Sequence, residues 1–111
     1  MSDRGSPQSY SLTAGEGFVL NFTADDSIVG ATVRFWASRR PGATPVLSTE
    51  ASPATAVGAV TTSPAFTITV ADENTEDLTG TYAYEVELED VFGGKSKAAY
   101  GYLTFAAQLE A

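Results

Sequence analysis

The chain has 111 residues, with 6 Lys and Arg against 14 Asp and Glu, no His and no Cys, for a formal charge of −8. That length fits one domain, which would bury roughly 65% of the surface its unfolded chain exposes, and it excludes a second core. Without thiolate or imidazole there is no disulfide frame, zinc finger, Ser-His-Asp triad or Cys-His pair, and the acidic balance argues against non-specific binding to nucleic acid or an anionic membrane.

The start, MSDRGSPQS, is polar. It lacks the apolar run of about 7–15 residues that a secretory signal needs, and no stretch of the chain approaches the ~18 apolar residues of a membrane span. The expectation is a chain made and left in the cytoplasm, where the sequon Asn21-Phe22-Thr23 goes unused. Residues 1–8 read as a flexible arm, 9–106 as the folded domain and 107–111 as a tail.

Hydrophobic residues recur with a period close to 2, the signal of strands with one buried face. A short strand at 10–13 turns through Gly15-Glu16-Gly17 into 18–23, which places Phe18, Leu20 and Phe22 on one face. Residues 31–37 set Val33 and Phe35 against Arg34 and Trp36. This alternation leaves open whether Phe35 or Trp36 faces the core. Arg39-Arg40-Pro41-Gly42 is a turn with the Pro-Gly signature. The Ala-, Thr-, Ser- and Pro-rich stretch 43–65 predicts edge strands at 45–49 and 56–62 around a mobile loop near Ser52-Pro53, because proline cannot donate to a ladder. Strand 66–70 follows, then a helical turn over Asp72 to Leu78 with Asp72 as its N-cap. Strand 81–89 sets Tyr82, Tyr84, Val86 and Leu88 against Glu85, Glu87 and Glu89. A one-residue slip would bury three carboxylates, so its register is pinned. The turn Phe92-Gly93-Gly94-Lys95 leads into a last strand at 97–105, with Lys95 and Lys97 placed to pair with the glutamates. Seven or eight such strands predict an all-β fold, a single antiparallel β-sandwich.

Candidate sites are few. Asp72, Glu73, Glu76 and Asp77 could offer oxygens to Ca²⁺, but the spacing departs from an EF-hand loop, and capping and solvation account for it; neither metal nor cofactor is expected. A pair of carboxylates suited to glycoside hydrolysis would need a cleft ~5–9.5 Å across, for which one small sandwich has little room, so the chain is read as non-enzymatic. Arg34, Arg39 and Arg40 concentrate half the positive charge around one strand and its turn, beside Trp36. Arginine with tryptophan is the composition of interface hot spots, which makes these four residues, with Tyr100 and Tyr102 of the last strand, the candidate partner-binding surface.

Residues 78–84 (LTGTYAY) resemble strand F of immunoglobulin-like domains: Gly80 stands at the small residue, Tyr82 at the corner tyrosine and Tyr84 at the second Cys. The resemblance implies that the Tyr82 hydroxyl bonds backbone upstream, with the turn at 72–78 as its partner. Residues 36–45 (WASRRPGATP) are similar to the immunoglobulin strand C and its turn through Trp36, Pro41, Gly42 and Pro45. A longer pattern covers residues 12–105 and resembles the small sandwich domains of tailed-phage virion proteins, including N-terminal domains of upper-baseplate proteins. It is carried by Asp72, Thr75, Leu78, Gly80, Tyr82 and Tyr84 of a D-x-x-T-x-x-L-x-G-x-Y-x-Y segment, then by Gly101, Leu103 and Phe105. Baseplate adaptors of that kind continue into a helical linker, whereas this chain ends at Ala111.

The resemblance therefore implies a virion structural protein, made in the host cytoplasm, that decorates the head as a minor capsid protein. Its partners would be other virion proteins, the major capsid protein first, with self-association as a further option and neither nucleic acid nor membrane involved. A tail or baseplate adaptor and a carbohydrate- or protein-binding module are the alternatives.

Overall fold

The computed structural model describes residues 8–24 and 27–107. The expected arm, apart from Gln8, and the expected tail, apart from Ala107, lie outside the described residues. Eight strands follow in order: β1 (Tyr10–Thr13), β2 (Phe18–Thr23), β3 (Thr32–Ser38), β4 (Pro45–Ser48), β5 (Val57–Val60), β6 (Ala65–Val70), β7 (Gly80–Glu89) and β8 (Lys95–Ala106). They form a five-stranded sheet in the order β1-β8-β7-β3-β4 and a three-stranded sheet in the order β2-β6-β5. Strands β8-β7-β3 facing β2-β6-β5 reproduce the G-F-C and B-E-D arrangement of an immunoglobulin-like sandwich, with β4 added beyond strand C. The two bland segments, the first opening on Pro45, form β4 and β5, and both sit at sheet edges.

One pairing departs from the antiparallel expectation. β1 runs parallel to β8, with Tyr10 opposite Leu103 and Thr13 opposite Ala106. The turn after β1 carries the chain across to the other sheet instead of closing a hairpin, so β1 is free to lie alongside β8 in the same direction.

The core fills the space between the sheets, and the alternation seen in sequence supplies it. β2 gives Leu20 and Phe22; β6 gives Phe66, Ile68 and Val70; β7 gives Tyr82, Tyr84, Val86 and Leu88. Phe22 stacks on Phe66 at 5.3 Å between centroids, and Tyr82 meets Phe105 edge-on at 5.8 Å, the geometries that aromatic quadrupoles favour. On β3, Phe35 is fully buried and Trp36 half-buried on the outer side, which decides the face left open by the sequence.

The helical turn shrinks to a 3-10 turn, Asp72–Asn74, and its N-cap is Ala71 with no side-chain cap bond, so Asp72 does not cap it. A single 3-10 turn has too few free N–H groups in line to reward a carboxylate cap. Thr75 holds this corner instead. Fully buried, its hydroxyl accepts the Gly15 N–H (2.9 Å) and shares its proton between the carbonyls of Glu16 (3.0 Å) and Asp72 (3.1 Å). Thr75→Val keeps the shape and removes these bonds, and is expected to cost about 1–3 kcal/mol, because polar groups are left buried without partners. A lower urea midpoint with an unchanged slope would bear this out.

Tyr82 lies at the sandwich corner and bonds upstream backbone, as the resemblance implied, though one residue beyond the expected turn. Its hydroxyl accepts the Thr79 N–H at 3.4 Å, outside the expected 72–78 turn and with backbone as the donor. Gly80 beside it takes φ +85°, the left-handed region that favours glycine.

Candidate functional site

The outer face of the five-stranded sheet carries the site. Cross-strand register sets Ser48, Trp36, Glu85 and Tyr100 in one row across β4, β3, β7 and β8, and Pro45, Ser38, Ala83 and Tyr102 in the next. The small side chains of Ser38 and Ala83 lie low between Trp36, Tyr100 and Tyr102. The turn at Pro41-Gly42 forms a rim, and the result is an open groove of about 550 Å³. Tyr102 is 53% exposed; Trp36 and Tyr100 are half-buried. Glu50 and Glu85 also line the groove. Three aromatic rings with polar groups beside them make a surface that can bind apolar and hydrogen-bonding groups together.

Of the six expected partner-binding residues, the structure thus brings together Trp36, Tyr100 and Tyr102. The three arginines part company. Arg34 shares the outer face but is engaged: its guanidinium reaches Glu50 (3.4 Å) and Glu87 (3.5 Å) and bonds Glu89. The hydrogen bond to Glu89, and then the fields of all three carboxylates, hold its pKa above the ordinary arginine value. Arg39 lies over the Tyr82 ring, 4.3 Å from its centroid, and so closes the core at the corner. Arg40 is exposed in the turn, away from the groove lining.

The glutamate stripe is also shared out differently from expectation. Lys97 pairs with Glu85 (3.1 Å) and sits over the Tyr100 ring, while Arg34 takes Glu87 and Glu89. Lys95 makes no ion pair among the described residues. The register sets Lys97 opposite Glu87 and Lys95 opposite Glu89, but Arg34, opposite Glu87 on the other neighbouring strand, engages both glutamates, and Lys97 reaches along its strand to Glu85.

Tyr84, at the position of the immunoglobulin Cys, donates its hydroxyl to the Gln8 carbonyl (2.8 Å), and the Gln8 N–H donates to the Tyr100 carbonyl (2.8 Å). This ties the start of the domain to the strand that carries the groove. Burial, and then the nearby Tyr10, push the Tyr84 phenol well above its ordinary value. The unfolded chain releases that proton near pH 10 and the folded chain only higher, so above pH ~10 the unfolded state binds fewer protons and stability falls as pH rises. Tyr84→Phe is expected to be the less stable protein at pH 8, by about 1 kcal/mol for the lost bond. The gap should narrow or reverse by pH ~11, as urea midpoints of the two proteins against pH would show.

Two features escaped the sequence. Glu50 joins Arg34 through the loop after β4, a contact with no sequence period. Phe92 of the final turn and Val91 just before it are 93% and 64% exposed. The signal available was an apolar pair inside a Gly-Gly turn, where polar residues are the rule.

No protein-family model matches the chain, and no curated protein matches it significantly in sequence.

Proposed function

We propose that this protein is a non-enzymatic structural component of a tailed-phage virion, of the head-decoration type, which holds its place through protein–protein contacts. The observation that carries the docking role is the groove between Trp36, Tyr100 and Tyr102: an open aromatic surface on a small acidic domain is the composition of a partner site. The virion assignment rests on the resemblance over residues 12–105, whose residues the fold uses structurally. Thr75 and Leu78 are buried at the 72–78 corner, Gly80 takes φ +85°, and Tyr82, Tyr84, Leu103 and Phe105 lie in the core.

In this role each copy contributes a modest contact, and many symmetry-related copies sum to a stable layer on the shell. The neighbours would be other virion proteins, the major capsid protein first.

Immunogold electron microscopy of the source particle with an antibody against this chain tests the proposal. Dense label over heads is the expected result. Label confined to the tail tip would move the protein to an adaptor role, and particles without label would overturn the virion assignment. A second reading has the groove bind carbohydrate, which the carboxylates of Glu50 and Glu85 beside three stacking rings favour. Titration with glycans that quenches Trp36 fluorescence would support it.

A further inference from the structure

The most exposed large hydrophobic side chain among the described residues is Phe92, at the tip of the β7–β8 hairpin, 93% exposed. With Val91 and Val29, 64% and 75% exposed, it makes an apolar cap at one end of the sandwich. The tip is built rather than frayed. The Asp90 carboxylate accepts the N–H groups of Phe92 (2.9 Å) and Gly94 (2.8 Å), and the Asp90 N–H donates to the Gly94 carbonyl (2.8 Å). Val91 packs on the bare backbone of Gly30, its Cγ1 2.7 Å from where a Cβ would stand. An aromatic ring held out to water on a preorganised turn is an anchor without its pocket.

The same chain carries a pocket of matching chemistry. The groove is aromatic, with Glu50 at its edge and still 57% exposed. The tip segment 91–97 (VFGGKSK) holds two lysines and no acid, and Lys95 makes no ion pair among the described residues. Phe92 lies beyond the far end of β7 from Glu85, four strand residues (about 13 Å at ~3.3 Å each) and then the turn away, so no copy reaches its own groove with its own tip.

We propose that the Phe92 tip of one copy seats in the Trp36–Tyr102 groove of a second copy, with Lys95 of the tip meeting Glu50 beside the groove. This rests on reading the groove as a protein-docking surface, and it names the neighbour there as another copy in the layer. One aromatic anchor and one ion pair fall short of a standard ~1,600 Å² interface, so the contact is weak in solution, with Kd on the order of 0.1–1 mM. It becomes effective where copies are held side by side.

Sedimentation equilibrium of the full chain, carried up to a concentration of about 1 mM, tests this. The wild type is expected to gain mass with concentration, and Phe92→Ser and Trp36→Ala each to raise Kd at least about tenfold. Mixed one to one, these two variants should form a heterodimer, because one keeps the groove and the other the tip. If Trp36→Ala loses its circular dichroism, the more exposed Tyr102→Ala takes its place. A wild type that stays monomeric to ~1 mM, a Phe92→Ser protein that associates like wild type, or a mixture that stays monomeric would each overturn the inference. A monomeric chain that still labels particles would overturn this contact alone and leave the virion assignment standing.

Discussion

Phe35→Ala is expected to remove about 3–5 kcal/mol of folding stability, the usual range for emptying a buried aromatic site. Phe35 is fully buried at the centre of β3, and its ring meets that of Tyr84 at 6.0 Å between centroids. Both main-chain polar groups of Phe35 bond Thr49 at 3.0 Å, the N–H to its Oγ1 and the carbonyl to its N–H. The backbone is therefore pinned and cannot sink into the cavity, which puts the expected loss toward the upper end. Against a total of roughly 5–15 kcal/mol, that is a third or more of the stability of such a domain. Trp36→Ala, one residue along, is expected to cost about 1 kcal/mol or less, because its ring lies half-buried on the outer face. Urea unfolding of the two variants separates them without assumptions about function. If Trp36→Ala proved the costlier, the ring would belong to the core and the groove would lose one wall. The expected order also makes Trp36→Ala a usable probe: a folded protein that no longer binds particles would assign docking to this face.

The strands were legible because their alternation is strong and their interruptions chemically distinct. In β7, four apolar residues alternate with three glutamates, and only one register satisfies both faces. The edge positions of β4 and β5 were legible for the opposite reason, since Pro45, Gly58 and runs of alanine and threonine suit a strand with one free side. The Phe35–Trp36 choice was not. Each candidate face of β3 holds one large aromatic, and the decision belongs to β7, where Val86 lies opposite Phe35 and Glu85 opposite Trp36. Only long-range pairing sets that match. The same holds for the arginines: their clustering in sequence suggested one patch, yet adjacent residues of a strand face opposite ways and turn residues splay further. Arg34 met carboxylates on the outer face, and Arg39 found the ring of Tyr82 at the corner. The groove was half visible, its three aromatics named but their union unseen, because Trp36 and Tyr100 meet only through the β3-β7-β8 order.

Gly101→Ala is expected to undo the start of the domain while leaving much of its core in place. A methyl group at this position would interpenetrate the Gln8 carbonyl oxygen and stand 2.7 Å from the Gln8 carbon and 3.0 Å from its nitrogen. All three are backbone atoms, so no side chain can swing aside. Gly101 also sits at φ +156°, near the limit of what other residues adopt. The strain would be relieved by lifting residues 8–13 off β8, which breaks the bonds from Tyr84 to Gln8 and from Gln8 to Tyr100 and exposes the inner edge beside Tyr10. Overpacking of this kind costs about 1–3 kcal/mol, and the two lost hydrogen bonds about 1 kcal/mol each. Hydrogen exchange would locate the effect. Amides of β1, and the Ala14 N–H that donates to the Ala106 carbonyl (2.9 Å), should lose protection, while β2 and β6 in the opposite sheet keep theirs. Uniform loss across both sheets would instead mean that β1 is integral to the cooperative core. Because Tyr100 and Tyr102 flank Gly101 on β8, loosening this edge should also weaken binding at the groove, even though no side chain lining it has been removed.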